Sequence, residues 1–71
     1  NFMKRLHAQH PDLSNNERMM CAYLKMNLST KEIAPLLNIS VRGVETIRYR
    51  LRKKFGLERE DSLTDYLSNK L

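Results

Sequence analysis

A chain of 71 residues has room for one domain and a modest core. Hydrophobic residues make up 41% and charged residues 30%, the balance of a folded domain and not of a disordered tail, and no apolar run approaches the ~20 residues that a membrane-spanning helix needs. The net charge is +5, and residues 42–54 alone hold six Lys/Arg (Arg42, Arg48, Arg50, Arg52, Lys53, Lys54) against Glu45, an excess equal to that of the whole chain and the electrostatic footprint of a polyanion binder.

Only two glycines and two prolines interrupt the chain, and helical spacing of apolar residues runs throughout. The opening segment, Phe2 to Gln9, sets Phe2 and Leu6 on one face and stops before Pro11, since a residue before proline is pushed to extended geometry. Ser14-Asn15-Asn16-Glu17 is a capping box that predicts a helix to about Met26, with Met20, Cys21, Leu24 and Leu28 as its core stripe. Cys21 has no cysteine to pair with and no metal partner at ligand spacing, so neither disulfide, metal nor cofactor is expected. No signal-peptide pattern opens the chain, and a cytoplasmic setting is the expectation. The first residue is Asn1, which suggests a piece of a longer protein whose remainder holds the signal input.

Ser29-Thr30-Lys31-Glu32 is a second capping box, and Leu28 and Ile33 form its hydrophobic staple. A short helix from Thr30 to Leu37 follows, burying Ile33, Ala34 and Leu37. Pro35 lies inside it and lacks the amide due to Lys31, which predicts a kink or a helix tightened near its start. Asn38-Ile39-Ser40 is a three-residue turn: Asn38 suits the left-handed end of one helix, and Ser40 caps the next.

The helix from Val41 to Phe55 buries Val44, Ile47, Leu51 and Phe55, and Gly56 ends it. Outward lie Arg42, Glu45, Thr46, Tyr49, Arg52 and Lys53, with Arg48 and Arg50 at the edges. A helix, a three-residue turn and a longer basic helix make a helix-turn-helix, whose second helix fits the DNA major groove. Arg42, Glu45, Thr46 and Tyr49 are the candidate base contacts. Ser29, Thr30, Lys31, Arg48, Arg50, Arg52 and Lys53 are the candidate phosphate contacts. Glu45 either accepts from cytosine N4, orients an arginine, or pairs with Arg42 or Arg48 at i, i+3. Gly43 is explained either by close backbone approach to DNA or by its place in a frayed first turn. Asp61-Ser62 opens a last helix with Leu63, Tyr66, Leu67 and Leu71 on its apolar face. The architecture expected is all-α: a four-helix helix-turn-helix bundle over residues 12–71, preceded by a short helical lead-in over residues 1–11. No carboxylate pair, Gly-rich loop or nucleophile–base pattern supports an enzyme.

The run Leu28-Ser29-Thr30-Lys31-Glu32-Ile33-Ala34-Pro35-Leu36-Leu37-Asn38-Ile39-Ser40 resembles the signature of LuxR/GerE-type helix-turn-helix domains of bacterial regulators, such as the NarL/FixJ response regulators. Its continuation from Val44 to Leu57 is similar to that family's recognition helix and exit, and Leu13-Ser14 with Glu17 matches the start of its first helix. The resemblance implies a transcriptional regulator's output domain that binds duplex DNA, with RNA polymerase as a further candidate partner. It places base reading on Glu45, Thr46 and Tyr49, and phosphate contacts on Thr30, Lys31, Arg48 and Lys53. It also implies a homodimer through the last helix, with Leu63, Tyr66 and Leu67 as contacts, against which stands packing of that face inside the protomer. Glu45, Gly43 and Ile47 stand where Lys, Thr and His are common in the family, and Pro35 is atypical. Two rival readings stay open: a promoter-binding domain like region 4 of a sigma factor, and a basic helical module that binds an acidic protein.

Overall fold

The computed structural model describes residues 1–71, as five helices and no strand. They are α1 (Phe2–Gln9), α2 (Asn15–Lys25), α3 (Thr30–Leu37), α4 (Val41–Phe55) and α5 (Leu63–Asn69). Side-chain caps set where they begin. Ser14, Ser29, Ser40 and Ser62 each accept a hydrogen bond from the amide three residues on, at 3.0–3.2 Å. At α2 and α3 the box is reciprocal: the Glu17 and Glu32 carboxylates accept from the Ser14 and Ser29 amides at 2.8 Å. Each such cap contributes about 1 kcal/mol.

One terminator is used three times. Asn27, Asn38 and Gly56 adopt left-handed φ of 64°, 57° and 70° at the ends of α2, α3 and α4. The amide of the next residue then reaches five residues back: Leu28 to Tyr23, Ile39 to Ala34 and Leu57 to Arg52. This satisfies carbonyls that the helix leaves open. In each case the residue after the left-handed one is apolar, and all three pack against the core. Helix α3 runs unbroken through Pro35. Its start is tightened, the Glu32 amide bonding to the Ser29 carbonyl at 3.1 Å while Ile33 bonds to the same carbonyl at 2.9 Å.

Helix α2 is central, touching all four others, while α3 and α4 make the most extensive helix pair. Leu6, Leu13, Met20, Cys21, Leu24, Ile33, Ala34, Val44, Ile47, Leu51, Leu63 and Leu67 form one buried cluster. Leu6 is fully buried, so the segment expected as a lead-in contributes to the same core as the rest. Burial pushes the Cys21 thiol up to about 12, helped by the Glu17 charge, in keeping with an inert core residue.

Two contacts close the bundle around α4. Lys54 donates to Glu17 Oε1 at 2.9 Å, and its Nζ lies 3.8 Å from Asp12 Oδ2. Glu17 is 6% exposed, the one buried charged residue. On the other side the Phe55 ring stacks on Tyr66, with centroids 4.7 Å apart. His10 lies against Phe55 at 4.5 Å and shares a hydrogen bond of 3.1 Å with the Tyr66 hydroxyl. The same packing bears on the residues that a dimer through α5 would use. Leu63 and Leu67 are 0% exposed within one protomer, and Tyr66 turns its ring to Phe55 and His10, so neither leucine has surface to offer a second copy.

Candidate nucleic-acid interface

The turn Asn38–Ser40 sets α4 against α3 and leaves the outer face of α4 free along about 22 Å. Val44, Ile47 and Leu51 point inward, so the periodicity of the helix drives Arg42, Glu45, Thr46, Tyr49 and Lys53 to the opposite side. A shallow open groove on this outer face is lined by Val41, Arg42, Glu45, Thr46 and Tyr49. All four candidate base contacts therefore share one surface.

A second groove, of about 770 Å³, runs along the flank of α4. Thr30 from the start of α3 forms one wall. Glu45, Arg48, Tyr49, Arg52 and Lys53 come from α4, and Leu57, Glu58 and Arg59 from the loop before α5. Glu45 and Tyr49 border both grooves, which makes the two surfaces continuous. Arg59 is a cation that the sequence reading missed. It lies in a loop, where no periodicity assigns a face.

The side chains in these grooves are partly positioned by the protein itself. Thr46 donates its hydroxyl to the Arg42 carbonyl at 3.1 Å, which leaves the methyl as the group it can offer outward. Lys53 Nζ sits 5.1 Å from the centroid of the Tyr49 ring, a cation–π pair at i, i+4. Tyr49 is nevertheless 59% exposed. Arg52 Nε donates to the Asp61 carbonyl at 3.4 Å, steadying the loop that carries Arg59. Arg48 is half-buried; burial and the Arg52 charge lower its pKa, and the Glu45 charge raises it. A guanidinium stays charged under such shifts. Glu45 makes no ion pair within 4 Å, since the pairs of that kind are both at Lys54.

Three candidate phosphate contacts lie outside the two grooves. Ser29 is exposed as a cap, its hydroxyl and amide both engaged with Glu32. Lys31 is exposed beside it, and the amides of Thr30 and Lys31 have no acceptor within the chain. Arg50 lies on the opposite flank, one turn before Lys54, whose pKa its charge lowers. Gly43 has an intramolecular neighbour to answer to: a Cβ there would stand 3.4 Å from Ile39 Cβ and 3.4 Å from Ser40 Oγ, ordinary contact that an alanine could make.

The family model of bacterial regulatory proteins, luxR family (GerE), matches residues 11–67. The chain belongs to that family. It is a helix-turn-helix DNA-binding domain of transcription regulation, with α3 and α4 as the helix pair. The match covers α2, α3, α4 and most of α5, and leaves α1 outside it. Neither curated proteins nor solved structures returned a match. No helix of this luxR-family domain is long and apolar enough to cross a membrane.

Proposed function

We propose that this luxR-family domain binds duplex DNA sequence-specifically, as the output domain of a bacterial transcriptional regulator acting in the cytoplasm. In this reading α4 lies in the major groove, about 12 Å wide and able to admit a helix with its side chains. Arg42, Glu45, Thr46 and Tyr49 face the base edges. Arg48, Arg52, Lys53 and Arg59, with Thr30 and Lys31 at the start of α3, face the phosphates along one strand. Glu45 suits the exposed amino group of a cytosine, because it is unpaired in the protein and an acid on a phosphate-facing surface costs affinity.

The observation that carries this reading is the continuity of the two grooves. One is lined by the side chains suited to base edges and the other by cations, with Glu45 and Tyr49 common to both. The test is binding to labelled random-sequence duplex DNA by fluorescence anisotropy over a salt series. Neutralising four or five phosphates gives a slope of log affinity against log salt of about −4. A slope near zero would mean that the basic face meets something other than DNA. Selection from the same pool then tests specificity: Tyr49→Ala should relax preference by about 1–3 kcal/mol at one base position, and a uniform loss at all positions would count against base reading.

A further inference from the structure

Val41 is 42% exposed and stands on the outer wall of the groove formed by Arg42, Glu45, Thr46 and Tyr49. It is absent from the core and from the residues that pack on it; Ile39, two positions earlier, does that work at this corner. Helix formation does not ask for it either. A β-branched side chain loses rotamer freedom in a helix, and the first turn rewards an acid through the helix dipole. Helices α2, α3 and α5 each carry that acid, as Glu17, Glu32 and Asp65, whereas α4 has none in its first turn. An apolar, branched side chain thus sits in water at the entry of the helix, among polar neighbours, with no role inside the fold.

In the major groove, thymine is the base that presents a methyl group, and apolar side chains distinguish it by contact. We infer that Val41 is a specificity-determining residue that packs against the C5 methyl of a thymine at the edge of the recognition site. The inference rests on the reading of α4 as the base-reading helix. Arg42, Glu45 and Tyr49 supply the polar side of that surface, and the Thr46 methyl, freed by the back-bonded hydroxyl, supplies a second apolar contact on the same face.

The test uses the 71-residue chain and a duplex it selects from a random-sequence pool. Each thymine in that duplex is replaced singly by deoxyuridine, which removes one methyl and nothing else. The wild-type chain should lose roughly fourfold in affinity at one thymine, the worth of a single buried methyl. Val41→Ala should lose nothing on the same replacement, while Thr46→Ser should still show the loss there. The alanine at an exposed first-turn position keeps the helix, which circular dichroism verifies. If Val41→Ala remains as sensitive as wild type at every thymine, or if no thymine is sensitive, the role of Val41 is overturned while DNA binding stands. If the wild-type chain selects no sequence at all, base reading by α4 itself fails, and Val41 with it.

Discussion

Replacing Lys54 by methionine should leave the salt dependence of DNA binding unchanged and weaken the fold. Its ammonium is engaged with Glu17 Oε1 at 2.9 Å and lies 3.8 Å from Asp12, on the side of α4 that meets α2. A cation held there neutralises no phosphate. The slope of log affinity against log salt should therefore shift by less than about 0.3, whereas Arg52→Ala, in the cationic groove, should reduce it by about 0.9. The cost of losing the pair falls on Glu17, which is nearly buried and also caps α2. Glu17→Gln keeps the shape and an acceptor for the Ser14 amide but removes the charge that strengthens the bond to Lys54. That loss is roughly 1–2 kcal/mol, or about 5–15 °C in Tm for a domain of this size. The double variant Glu17→Gln/Lys54→Met should lose less than the two singles together, because each single already breaks the same interaction. Anisotropy and urea unfolding at neutral pH measure both effects. A fall of about one unit in the salt slope of Lys54→Met, or strict additivity of the two changes, would refute the assignment of Lys54 to the fold.

The remaining expectations concern pH, the first turn of α4 and α5. Burial raises the pKa of Glu17, but the Ser14 amide and the Lys54 ammonium outweigh it, so the folded value lies below the usual 4.5. A depressed carboxylate contributes stability that is complete above its unfolded pKa and lost as pH falls through the folded one. The gap in urea midpoint between wild type and Glu17→Gln should thus be widest at neutral pH and close below about pH 4.5; a gap independent of pH would contradict it. Gly43→Ala should stabilise the domain by up to about 1 kcal/mol, since the added Cβ meets Ile39 and Ser40 at ordinary contact distance. Weaker DNA binding in that more stable variant would show that the glycine serves the approach of DNA. Leu67→Ala should cost about 2–5 kcal/mol in unfolding free energy, a large part of what a domain of this length has. Dissociation of an otherwise intact dimer is the outcome that would mark α5 as an interface instead.

The elements of this fold were legible because each boundary is written in local chemistry. Serines with a glutamate three residues on mark α2 and α3, Ser40 and Ser62 mark α4 and α5, and Asn38 and Gly56 mark two of the left-handed ends. Asn27, the third such end, escaped because asparagine is common in polar loops and Leu28 beyond it reads as a continuation of the α2 stripe, which hides the turn between them. Periodicity also told which face of α4 is outward, and hence that Arg42, Glu45, Thr46 and Tyr49 share a surface. A period of 3.6 says which residues leave the core together, but not what stands against each edge of the helix. Several tertiary relations fall into that one gap. Lys54 and Arg50 were counted with the cations of α4, yet one edge of the helix meets α2 and the other meets α3 and the loop before α5. Lys54 is taken by a carboxylate 37 positions away in sequence, and Arg59, from the loop, joins Arg48 and Arg52 instead. The resemblance offers Leu63, Tyr66 and Leu67 to a second copy, against packing inside the protomer, and nothing local says that α5 folds back on α2. The charge excess of α4 is therefore a sound guide to the chemistry of the partner and a poor guide to the number of phosphates held, since that number depends on tertiary neighbours that a single helix cannot announce.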